Sequence, residues 1–119
     1  MFKQCPFCGH NWHSREAFLG DDALTLEGYQ AHFDDAMQGL FLFTHDIDDC
    51  GTTLATEVSQ FVDLWPESVV HDTPRTHEAE CPRHCFSVRD LSPCDQPCQF
   101  GQVREILQEV RVQMDRSRI

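Results

Sequence analysis

Six of the seven cysteines in this chain come in close pairs, Cys5/Cys8, Cys81/Cys85 and Cys94/Cys98, and the seventh, Cys50, stands five residues after His45. Thiols at such short intervals constrain the fold more than any apolar pattern, because each pair either converges on something shared or is left as reactive sulfur. An odd count leaves at least one thiol outside any disulfide framework. The opening Met1-Phe2-Lys3-Gln4-Cys5 has neither an apolar signal core nor a small-residue cleavage site, and no run of about 18 apolar residues occurs. These features predict a cytoplasmic protein, where reducing conditions favour metal ligation over disulfides.

The 119 residues suffice for one domain, 1–119, with a core modest enough to benefit from a staple. No repeat, low-complexity segment or long Pro/Gly-rich linker divides it. The formal charge of −11 is uneven: Glu16 to Pro74 holds 13 acidic residues and no Lys or Arg. Such a surface repels phosphate, so no nucleic-acid and no anionic-membrane partner is expected, while solubility or a cationic partner fits.

Cys5-Pro6-Phe7-Cys8-Gly9 has local chemistry that suits a metal. Two thiolates three positions apart reach one tetrahedral ion, Pro6 presets the turn, and Gly9 permits the positive φ that turns backbone N–H groups toward sulfur. The stretch resembles the C-P-x-C-G knuckle of zinc ribbons, over these five residues only. A glutaredoxin-like redox pair would need a strand before and a helix after, but only four residues precede Cys5 and Gly9-His10-Asn11 follows Cys8. A c-type haem tether needs His directly after the second Cys, where Gly9 stands. A pair of inert buried thiols is the remaining alternative.

A tetrahedral ion requires two further ligands. His45 and Cys50 are the expected ones, since a strand-to-helix connection can bend both toward one point and Gly51 relieves crowding behind Cys50. His10 and His13 are the alternatives, because zinc sites also use His at such spacing.

Cys81-Pro-Arg-His-Cys85 and Cys94-Asp-Gln-Pro-Cys98 form two C-x3-C pairs eight residues apart, which predicts one four-sulfur cage. Pro82, Pro93 and Pro97 fix the turns, and Cys98 precedes a helix whose positive end favours thiolate. Arg83 and Arg89 are candidate charge-offsetting neighbours. Two zinc ions are therefore expected, with an iron–sulfur cluster as the alternative at Cys81, Cys85, Cys94 and Cys98.

The remaining pattern predicts an α+β fold: a small antiparallel hairpin or sheet with two helices, stapled by the metal-binding knuckles. Residues 23–33 and 39–44 read as a hairpin around an Asp34–Gly39 turn, with Gly28 marking a bulge. Leu54, Val58, Phe61, Val62 and Trp65 fall at helical spacing behind Thr52 and Thr53, predicting a helix over about 53–65 ended by Pro66, and Ser68–His71 suggests a short strand. Phe100, Val103, Leu107, Val110 and Met114, widened by Ile106, make a seam along 99–116. It is shorter than a coiled coil requires, so docking on the protein's own sheet is favoured over a homodimer through this helix.

No catalytic signature stands out. His77-Glu78-Ala79-Glu80 and Ser92-Pro93-Cys94 to Cys98 both miss the deaminase spacing, and Asp46, Asp48 and Asp49 lack the closing Glu of a calcium hand. His71, His77 and His84 lack a spacing that would specify an open metal site. The functional expectation is a protein-interaction or regulatory adaptor with structural metals. The alternatives are a thiol-based redox or metal sensor and a small metalloenzyme.

Overall fold

The computed structural model describes residues 1–64, 73–74, 76, 78–94 and 96–117. The fold is α+β: two small antiparallel sheets with helices packed against them. Strand β1 (Lys3–Gln4) pairs with β2 (Asn11–Trp12) across the Cys5–Gly9 knuckle, Lys3 opposite Trp12. Helix α1 (Arg15–Leu19) follows, started by Ser14, whose Oγ accepts from the Ala17 N–H at 3.1 Å. The larger sheet has the order β3 (Leu24–Gln30), β4 (Leu40–His45), β5 (Thr53–Glu57).

The register of β4 fixes the chemistry that follows. Its residues alternate strictly, so Phe41, Phe43 and His45 face inward while Leu40, Leu42 and Thr44 are only half-buried. The inward face meets a cluster of rings. Phe18 packs edge-on against Phe43 with centroids 4.9 Å apart, Trp12 against Phe18 at 5.1 Å, and Phe41 lies 5.5 Å from Phe61. Such pairs stabilise by about 0.5–1.5 kcal/mol each beyond the area they bury.

The Gly28 bulge is present: the β3–β4 register shifts between Leu26 and Gly28. A Cβ on Gly28 would stand 2.5 Å from the Val88 carbonyl oxygen, and the Tyr29 N–H donates to that oxygen at 2.8 Å. The loop carrying the later cysteines is thereby tied to the sheet.

The helix expected over 53–65 is replaced by two elements. Thr53–Glu57 is strand β5, Leu54 opposite Phe43, and Val58–Leu64 is a 3-10 helix. Leu54, Val58 and Phe61 are buried, so the apolar spacing was real, but a strand followed by a tight helix satisfies it as well. Pairing with β4 decides the matter, and Val62, which a continuous helix would bury, is exposed. Trp65, Pro66 and the strand suggested for Ser68–His71 lie outside the described residues.

Helix α2 (Gln99–Ser117) buries the whole seam, Phe100, Val103, Ile106, Leu107, Val110 and Met114, against Val58–Leu64, α1 and the 3-10 turn Ala36–Gln38. It also buries Arg104, which apolar periodicity did not mark. No helix among the described residues is long and apolar enough to cross a membrane.

Candidate metal centre

Cys5, Cys8, His45 and Cys50 converge on one point. Their ligand atoms, three sulfurs and the imidazole Nδ1, all lie within 4.8 Å of one another. The Cys5 and Cys50 sulfurs are 3.7 Å apart, and the His45 Nδ1 is 3.6 Å from both the Cys8 and the Cys50 sulfur. A tetrahedral ion with Zn–S near 2.3 Å and Zn–N near 2.0–2.1 Å sets S–S at about 3.8 Å and S–N at about 3.6 Å. Three of the six ligand pairs therefore stand at coordination spacing, and the rest lie within 4.8 Å. His10 and His13 are both exposed and remain outside the set.

Local backbone explains the convergence. Gly9 has φ +79 and its N–H donates to the Cys5 carbonyl at 3.0 Å; Gly51 has φ +83 and its N–H donates to the His45 carbonyl at 2.9 Å. Each glycine follows the second ligand of its loop and folds it back on the first. The two loops, one from each sheet, thus make the same closure. Asp49, at φ 66, takes a left-handed conformation that Asp tolerates better than most residues. His45 is held at its backbone by a bond from its N–H to the Thr52 carbonyl, 2.9 Å, and by its place in the β4 alternation. Its ring contacts Trp12 edge-on, centroids 4.9 Å apart. The Lys3 ammonium donates to the Ala55 carbonyl at 2.8 Å, binding the knuckle hairpin to β5 beside the site.

The thiols of this cluster are pushed in opposite directions. Burial pushes the Cys5 thiol up, but backbone N–H groups of Cys8 and Phe7 and the side chain of His45 outweigh it and bring the thiol down to about 6. Cys8 behaves oppositely. The His10 N–H pulls its thiol down, yet desolvation and the sulfurs of Cys5 and Cys50 together push it up. Crowded sulfurs that cannot all ionise alone can do so around a divalent ion.

Cys81, Cys85, Cys94 and Cys98 have a different arrangement. All four line one cavity, shared with His84 and Phe100 and open on one side to solvent. Among the described residues, however, Cys5, Cys8, His45 and Cys50 are the one set of three or more metal-binding side chains drawn within 4.8 Å of one another. No disulfide joins any cysteine. Cys85 lies in the 3-10 turn His84–Phe86 and Cys98 just before α2, whose Gln102 N–H donates to the Cys98 carbonyl at 3.0 Å. Burial pushes the Cys85 thiol up, partly offset by Arg104.

Arg104 is the residue that sequence reasoning missed here. It is fully buried, and its Nε donates to the Cys85 sulfur at 3.3 Å. Its Nη1 donates to the carbonyls of Asp90 and Ser92 at 2.7 and 2.9 Å. Arg83 instead lies over the Phe86 ring at 5.3 Å. His84 pairs with the Asp90 carboxylate at 2.7 Å, and bonds from Ser92 together with His84 hold that carboxyl well below its ordinary range. His71 and His77 lie outside the described residues. Comparison with protein-family models, with curated proteins and with solved structures gives no match to this chain.

Proposed function

We propose that this chain is a zinc-organised module of the reducing cytoplasm, working as a protein-interaction adaptor, with one structural zinc at Cys5, Cys8, His45 and Cys50 and a second centre at Cys81, Cys85, Cys94 and Cys98. The observation that carries this reading is the closed four-ligand set at tetrahedral spacing. Four protein ligands leave no coordination position for substrate, and three sulfurs with one imidazole suit zinc. Function then belongs to the surface. Phe33 and Phe86 are exposed yet stacked on each other with centroids 5.1 Å apart, an apolar feature that supports a protein partner. A homodimer through α2 would have to use its outer face, where Val112 is exposed.

Elemental analysis of the purified chain tests the metal reading: zinc should be present and should leave with Cys50→Ser. Cobalt substituted at the first centre should show no spectral change with exogenous anions, whereas a metalloenzyme would bind them. A Phe33→Ser/Phe86→Ser variant should keep its zinc and fold but lose the partner that the wild type captures; unaltered capture would count against the adaptor role. A redox or metal sensor is the second reading, favoured by the open-sided cavity that the four later cysteines line. Metal release in step with thiol oxidation under mild peroxide would select it.

A further inference from the structure

The later cysteine cavity poses two questions that the first centre does not. The first concerns spacing. A single zinc requires all four sulfurs within about 3.8 Å of one another, yet these line a common cavity without any three of them drawing within 4.8 Å. A polynuclear cluster relaxes the requirement, because its cysteines bind different irons and inorganic sulfide fills the space between.

The second concerns charge. Arg104 is 0 % exposed, and among the described residues no carboxylate accepts from it: its partners there are the Cys85 sulfur and two carbonyls. Its Nη2 has no hydrogen-bond partner, and neither has the buried hydroxyl of Tyr29, whose ring lies 5.4 Å from the guanidinium. A guanidinium so deep in the protein is costly unless an anion stands beside it. Four thiolates around an iron–sulfur core carry net negative charge, and one of them, Cys85, already accepts from Arg104.

We propose that Cys81, Cys85, Cys94 and Cys98 hold an iron–sulfur cluster, with Arg104 as its buried counter-ion and hydrogen-bond donor. The inference rests on reading these four cysteines as a second metal centre. Assembly takes up ferric iron and sulfide, so a two-iron core forms in its oxidised state with no outside oxidant, and the four thiols release their protons to solvent as each sulfur bonds an iron. Arg104 acts through Cys85, so it is a positioning residue whose effect should appear in the cluster's reduction potential.

The test uses the full chain purified without oxygen, and also incubated anaerobically with ferric iron and sulfide. Iron and acid-labile sulfide should be found in addition to zinc, with broad visible absorption, and Cys94→Ser should lose iron and sulfide while retaining zinc. Arg104→Gln should keep the absorption but lower the potential in a dithionite titration, and Arg104→Lys should restore much of it. Two zinc ions per chain with no labile sulfide, and no absorption after reconstitution, would overturn the cluster but leave the second centre standing. One zinc with four freely titrating thiols would overturn both. Should Cys94→Ser fail to fold, the iron, sulfide and zinc content of the wild type still decides.

Discussion

The two cysteine groups of this molecule are built on different supports. Cys5, Cys8, His45 and Cys50 sit in loops closed by glycine N–H bonds at the ends of paired strands, and the register of β4 alone places His45. Cys81, Cys85, Cys94 and Cys98 come from turns, a short 3-10 segment and the approach to α2. Strand ends give ligands at coordination spacing; turns give a cavity. A sheet register therefore positions the first site, while turns position the second.

That contrast can be broken experimentally. The largest effect should come from Cys5→Ser, which on the proposed zinc reading should release the ion and cost several kcal/mol, since metal-binding free energy is folding free energy. Thermal unfolding with and without chelator would show it, and an unchanged transition would remove the staple. Cys98→Ser should also destabilise, by less than Cys5→Ser, because fewer strand contacts depend on its centre. A reversed order would mean that the turns carry the cohesion assigned here to the sheets.

Gly28→Ala comes next. Its Cβ would press on the Val88 carbonyl at 2.5 Å, a backbone atom, so a loss of about 1–3 kcal/mol is expected in denaturant unfolding. Faster reaction of Cys85 and Cys94 with a thiol reagent alongside would show that the bulge holds the later loop in place. A smaller effect is pH-dependent and belongs to metal-free protein. The folded Cys5 thiol lies at about 6, below its ordinary value of 9.0. Its contribution is present above the ordinary value and is lost as pH falls from about 9 towards about 6. Cys8, pushed up, titrates above this window. Cys5→Ser should flatten the dependence. The smallest effect should be Asp63→Asn, which removes the exposed pair with Arg15 at 2.6 Å and should cost less than about 1 kcal/mol; a larger loss would give that corner of the fold unexpected weight.

Much of the fold was legible because its patterns had one solution. The β3–β4 hairpin, the Gly28 bulge and the α2 seam each follow from spacing that no other element satisfies over the same length. Residues 53–64 were misread because Leu54, Val58 and Phe61 fit a helix locally, and only the need of β4 for a second partner makes a strand of the first five. Helix α1 is five residues long, too short for periodicity to reveal, although Ser14 was a visible cap. Arg104 stands four residues after Phe100 and three before Leu107, on the seam itself, but a charged residue is ordinarily assigned to water. Testing the seam for polar members would have found it. The Cys5 knuckle was legible as local chemistry, whereas its union with His45 and Cys50 depends on a hairpin register and two glycine closures far apart in the chain.

The contact of Trp12 with His45 has an optical consequence. An indole with its ring centre 4.9 Å from the His45 imidazole experiences any change of charge at that ring, so its emission should report ion capture without an added dye. The same indole donates from Nε1 to Asp21 at 2.9 Å, which fixes its orientation and makes the signal depend on the ion instead of on ring tumbling. The molecule thus contains a built-in gauge of its own occupancy, and Trp12→Phe would silence it while leaving Trp65 as the background.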